Sequence, residues 1–202
     1  MKETKHKGGR PSKRRFILEQ AEKLVQEKGA AHLTFDHLTE VTGISKGGLL
    51  YHFDSKEALI IAMLERYIER REERTLTLLP KYKNEEDAEI KARVESEMHE
   101  QDAMLSVDSA ILAAAALNPG LLEPLQGRYE ELCNKFKASK VGGSRARLVW
   151  LSVIGHRLMR QFGLLEETQK EHDALIKLMM DLLDVNVNLV EQSERSDNSV
   201  FG

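Results

Sequence analysis

Ser45-Lys46-Gly47-Gly48, followed by Tyr51, His52 and Lys56, is the group of residues in this 202-residue chain whose types and spacing best suit a defined chemistry. Small residues let a helix backbone come close to another surface, and a hydroxyl and an ammonium at a helix start can meet base edges in a DNA major groove. Tyr51, His52 and Lys56 follow one or two turns later, where a phenol, an imidazole and an ammonium reach phosphates, and Leu49 lies in the same contact segment. Upstream, Thr34 is placed to cap a helix whose N-terminus suits a further phosphate. The competing reading is a plain helical corner in which Ser45 only caps and Tyr51 only packs. It leaves the paired glycines and the basic residues nearby idle.

Catalytic and metal chemistry find little support. The seven histidines are scattered, and no HExxH, CxxC or phosphate-cradling GxxxxGK run occurs. Glu171-His172-Asp173 has the residue types of a metal site, but consecutive helical residues face different ways, so this triplet reads as a solvated face. Cys133 has no second thiol to pair with and no nameable base, and reads as structural. No enzyme activity, metal or cofactor is expected.

Local signals set out the elements around the Ser45 segment. Pro11 or Ser12 opens a helix that closes at Gly29, with Phe16, Ile17, Ala21, Leu24 and Val25 on one face. Thr34 starts a second, short helix ended by Gly43, and Ser45 caps the third. Asp54 or Ser55 starts the next, with Asp54 and Glu57 at capping-box spacing. Two short helices joined by Thr42-Gly43-Ile44 form a helix-turn-helix pattern. Residues 1–56 hold eleven Lys or Arg against seven Asp or Glu, a net +4, whereas the other 146 carry −7. The basic part is thus the one expected to meet a polyanion. The predicted organisation is all-α: a basic arm over 1–10, a DNA-binding domain over 11–56, and a helical domain over 57–202. The arm reads equally as a phosphate-binding strap or as a solvated tail. No apolar run approaches the roughly 18 residues needed to cross a bilayer, the basic start lacks a secretory apolar region, and a cytoplasmic protein is expected.

From Phe16 to Leu59 the chain resembles the DNA-binding domain of the TetR family of bacterial repressors. The resemblance rests on Ile17-Leu18, Glu27-x-Gly29, Thr34, Leu38, Thr42-Gly43-Ile44-Ser45-Lys46-Gly47, Tyr51-His52-Phe53 and Ser55-Lys56-Glu57-x-Leu59. Two positions depart from it: it leads one to expect a side-chain donor at Gly48 and an aromatic at Leu50. Base reading then falls to Lys46, Tyr51 and the Gly-lined backbone.

Beyond residue 57, helices are expected over about 55–79, 84–98, 103–117, 121–138, 144–165 and 168–192, with the long helix from Ser55 tying reader to body. The last helix is apolar over most of its circumference, leaving a polar stripe of Lys177, Asp181, Asp184 and Asn188. Its second apolar side is best covered by another copy of the chain, giving a two-fold homodimer; the resemblance implies the same four-helix interface. Leu151, Leu158, Leu175, Leu178, Leu182, Val185, Asn186 and Leu189 are the expected interface. Met98, Met104, Ile111, Trp150 and His156 are candidates to line a cavity for a small, mainly apolar effector, with packed core as the competing reading.

The leading functional reading is a repressor of transcription that binds a palindromic double-stranded DNA operator and is released by a small molecule. A DNA-binding regulator controlled by a protein partner is the alternative, and a helical enzyme the remote one.

Overall fold

The computed structural model of the chain describes residues 12–99 and 118–184. Among these residues every regular element is helical. They divide into two compact units, one of residues 12–67 with 118–124 and one of residues 68–99 with 125–184.

In the first unit, Ser12 caps helix α1 (Lys13–Lys28), its hydroxyl accepting from the Arg15 N–H at 3.2 Å. Ile17, Leu18, Ala21, Leu24 and Val25 form the buried face. Gly29, at φ 84°, closes the helix by donating to the Val25 carbonyl. Thr34 caps α2 (Phe35–Thr42), which ends at Gly43 in the left-handed region, where glycine has no Cβ to clash. Ser45 caps α3 (Lys46–His52). At the start of α4 (Lys56–Leu78) it is the Ser55 hydroxyl that accepts from the Ala58 N–H, at 3.0 Å, so Ser55 takes the cap rather than the Asp54–Glu57 pair. The boundary expected after residue 56 falls at the start of α4. The compact unit itself runs on to Tyr67, because Leu59, Ile60, Ala62, Met63 and Leu64 are all buried.

The second unit contains the end of α4, α5 (Ala88–Met98), the bulk of α6 (Glu123–Lys137), α7 (Gly143–Gln161) and α8 (Gln169–Leu182). Its apolar core gathers Ile90, Val94 and Met98 from α5, Leu132 and Phe136 from α6, Ala146, Val149, Trp150 and Val153 from α7, and Met179 and Leu183 at the end of α8.

Three expected boundaries shift. Helix α5 starts at Ala88 rather than near Asn84, after Asp87 at φ 55°. The Asp87 carboxylate accepts from the Ser139 hydroxyl and from the Lys140 and Val141 N–H groups, which holds the turn in place. Helix α7 ends at Gln161 rather than Leu165, since Gly163 turns the chain at φ 64°. Helix α8 ends at Leu182 rather than Gln192. There the Leu183 and Asp184 N–H groups bond three residues back, and the Arg145 guanidinium donates to the Asp184 carbonyl at 3.2 Å and the Leu182 carbonyl at 3.5 Å. The expected helix over 103–117 lies outside the described residues.

Helix α5 is charged yet buried. Glu97 accepts from Arg71 on α4, at 2.7 Å to Nε, and from Arg157 on α7 at 2.5 Å, while Arg93 donates to Glu72 at 2.8 Å. Charges out of water require such partners; those of Glu97 come from α4 and α7, and Glu72 of α4 serves Arg93.

Candidate nucleic-acid interface

The three-residue turn Gly43-Ile44-Ser45 sets α3 against α2, and burial then sorts the side chains of α3. Leu49 is completely buried and Phe53, the residue after α3, nearly so; together they anchor the helix to the unit's core. Ser45, Lys46, Gly47 and Tyr51 are exposed, and Tyr51, at 85%, is the most open large apolar side chain among the described residues. One edge of α3 is therefore core and the opposite edge is a projecting, polar, partly glycine surface. Leu49 must be corrected: a side chain with no exposed surface cannot touch DNA, and its role is to seat the helix.

The two glycines differ. A Cβ at Gly47 would meet nothing within 4 Å, so that position is open for close approach by an outside surface. A Cβ at Gly48 would lie 2.8 Å from Ile44 Cγ2, a contact that requires the branched side chain to move. The missing side chain at Gly48 is thus matched by the bulk of Ile44.

Ser45 Oγ accepts from the Gly48 N–H at 3.3 Å, and Lys46 Nζ lies 2.9 Å from Asp36 Oδ1 on α2. Thr34 Oγ1 accepts from the His37 N–H at 3.2 Å and sits 3.1 Å from His37 Nδ1, which in turn is 2.9 Å from the His32 carbonyl. With its hydroxyl engaged in its own turn, Thr34 shapes the α2 N-terminus. His52 is half-buried and packs edge-on against Tyr51, with ring centroids 5.2 Å apart. Lys56 is half-buried at the first position of α4. The Arg14 guanidinium lies 5.0 Å from the Phe53 ring centroid, linking the basic first turn of α1 to the end of α3. The basic arm over 1–10 lies outside the described residues.

Residues 17–63 match the family described as bacterial regulatory proteins, tetR family, and residues 87–184 match the tetracyclin repressor-like C-terminal domain. The chain belongs to the TetR family. Members are DNA-binding regulators rather than enzymes. Solved structures agree on the fold. The multidrug binding protein EbrR complexed with imidazole is 19% identical, with 89% of this chain and 94% of that chain covered and a TM-score of 0.64. A TetR-family transcriptional regulator from Rhodococcus sp. is 16% identical, covering 85% and 98%, with a TM-score of 0.63. A transcriptional regulator from Saccharomonospora viridis in complex with choline is 18% identical, covering 86% and 96%, also at 0.63. No curated protein matches the sequence.

In this TetR-family chain the second unit distributes the remaining candidates. Met98 and Trp150 belong to the packed core, and Trp150 lies 6.0 Å from Phe136 between ring centroids. The Trp150 Nε1–H is buried with no hydrogen-bond acceptor among the described residues. His156 is buried too. Met104 and Ile111 lie outside the described residues. Of the expected interface residues, Leu151, Leu158 and Leu178 are exposed, Leu175 and Leu182 pack partly against the core, and Val185, Asn186 and Leu189 lie outside the described residues.

The Glu171-His172-Asp173 triplet splits as helix geometry requires, but not as a wholly solvated face. Glu171 and Asp173 are exposed; His172 points inward and is buried. Its Nδ1 lies 2.8 Å from Glu167 Oε1, which is also 2.8 Å from His156 Nε2. Glu167 carries no periodic signal, since it sits in the α7–α8 connection, and only the fold brings it between two histidines separated by sixteen positions. The Glu97–Arg71–Arg157 cluster escaped sequence reading for the same reason. Among the described residues no helix is long and apolar enough to cross a membrane.

Proposed function

We propose that this TetR-family regulator is a repressor that binds a palindromic operator as a homodimer and is released by a small, mainly apolar effector. The observation that carries the DNA-reading part is the division of α3 into a buried edge at Leu49 and an exposed edge at Ser45, Lys46, Gly47 and Tyr51. A helix seated in this way presents its N-terminal residues to base edges while Tyr51, His52 and Lys56 meet phosphates.

Dimerisation is supported by the apolar side chains that α7, the following loop and α8 leave uncovered: Leu148, Leu151, Leu158, Phe162, Leu164 and Leu178. So many exposed large apolar residues in one region mark an interaction surface. A Cβ at Gly155, on the same stripe of α7, would meet nothing within 4 Å, which suits close approach of a partner helix. The effector reading is supported by structural neighbours described in complex with imidazole, malachite green and choline.

Binding titrations on the DNA flanking the gene and on a scrambled duplex test the proposal. A saturable preference for one palindromic segment, at two chains per site, is the expected outcome; equal affinity for both duplexes defeats it. An effector that weakens operator binding by about 5–150-fold must itself bind more weakly to the operator complex by the same factor.

A further inference from the structure

We propose that His156, Glu167 and His172 form a binding site for one divalent transition-metal ion, with zinc as the best-suited occupant. The site lies in the second unit and is independent of the operator-binding reading. His156 comes from α7, Glu167 from the connection after it, and His172 from the second turn of α8. Their three ligand atoms lie within 4.8 Å of one another. All three side chains are largely withdrawn from solvent, at 5%, 14% and 10% exposure.

Geometry carries the argument. His172 Nε2 lies 3.0 Å from the Met98 carbonyl oxygen, which can only accept, so Nε2 donates there and Nδ1 is the nitrogen turned to Glu167 Oε1, at 2.8 Å. His156 Nε2 faces the same oxygen at 2.8 Å. Two imidazole nitrogens and a carboxylate oxygen thus converge on one point in a largely buried place, where a single ion can bond to all three.

Two imidazoles with one carboxylate is a ligand set that zinc accepts, leaving a fourth position for water; magnesium and calcium favour all-oxygen sets. Bonds of about 2.0–2.2 Å in a tetrahedron place ligand atoms about 3.4 Å apart. Each 2.8 Å contact must therefore open by roughly half an ångström, within reach of small side-chain rotations. The Met98 carbonyl acts as the outer partner that fixes the His172 tautomer and ring orientation. The backbone beside Glu167 is held by the Thr168–Glu171 capping box, in which the Thr168 N–H donates to Glu171 Oε2 at 2.8 Å. Arg160 Nε lies 3.9 Å from Glu167 Oε1.

The full-length protein, stripped with a chelator, is titrated with Zn2+ against a chromophoric competitor and separately with Co2+ followed by its visible spectrum. One tight Zn2+ per chain and the intense Co2+ bands of a four-coordinate site are expected, together with a rise in melting temperature on adding Zn2+. Glu167→Gln, His156→Gln and His172→Gln should each weaken binding by on the order of 100-fold or more. His32→Gln, in the first unit, should leave it unchanged. Glu167→Gln, in the loop, keeps the test decisive if a buried histidine variant fails to fold. Zn2+ affinity and stoichiometry that survive Glu167→Gln overturn the proposal. So does absence of Zn2+ binding at micromolar protein.

Discussion

Lys46 and Asp36, ten residues apart, form a 2.9 Å ion pair that joins the start of α3 to the first turn of α2. Both side chains are more than half exposed, so the pair adds little to stability. Its consequence is positional: the ammonium expected to read a base is held beside a carboxylate that repels phosphate. Lys46→Ala should cost roughly 1–3 kcal/mol at the operator and relax base preference. Asp36→Asn should leave the melting temperature unchanged while tightening binding to operator and scrambled DNA alike. Fluorescence anisotropy on both duplexes checks the pair.

The unequal glycines of α3 give an opposed pair of variants. Gly47→Ala meets no steric obstacle and should stabilise the helix by about 1 kcal/mol, raising the melting temperature by about 2–4 °C. It should also weaken DNA binding, since a methyl group now stands on the open face. Gly48→Ala must displace Ile44 and should lose most or all of that gain. Thermal melts with matched DNA titrations distinguish the two.

Leu151 and Leu178 lie exposed on α7 and α8, and Leu178 is 49% open. Replacing both with Glu should yield a folded monomer by analytical ultracentrifugation. Operator affinity should collapse in parallel, because in the proposed dimer each subunit reads one half-site and the two reading helices must lie about 34 Å apart. A dimer that survives both charges places the interface elsewhere.

Glu97, 1% exposed, sits between Arg71 and Arg157. Glu97→Ala removes the buried carboxylate that Arg71 and Arg157 share and should cost about 3–5 kcal/mol in urea unfolding. Arg157→Met should cost less, as Arg71 still pairs with the carboxylate.

Burial pushes the carboxyls of Glu72 and Glu95 up, but hydrogen bonds outweigh it and hold both below the ordinary 4.5. Arg93 and Arg128 supply them for Glu72, and Lys81 and Tyr82 for Glu95. Because the folded values are lowered, these groups stabilise the protein fully above pH 4.5. That contribution is lost as pH falls from there through the lowered values. Urea unfolding between pH 7 and pH 3 should show stability dropping below pH 4.5. Glu72→Gln with Glu95→Gln should make the decline shallower.

Much of the reader was legible in the chain itself. The caps at Ser12, Thr34 and Ser45 and the stops at Gly29 and Gly43 all act through hydrogen bonds spanning three or four residues, so local sequence is enough to place them. The inward face of α1 follows from its periodicity for the same reason. Family membership rested on these local features and on their order.

What the sequence left undecided depended on contacts between distant positions. Leu49 shares a segment with Lys46 and Tyr51, and only packing shows that it faces the core. Helix α5 is highly charged along its sequence, and only the fold shows that its Glu97 meets Arg71 twenty-six residues before it and Arg157 sixty residues after it. His156, Glu167 and His172 occupy two helices and a loop, so no periodicity relates them. Periodic patterns report which face of one helix is apolar; which charges meet across helices is decided when the helices pack, because burial makes an unpartnered charge too costly to keep.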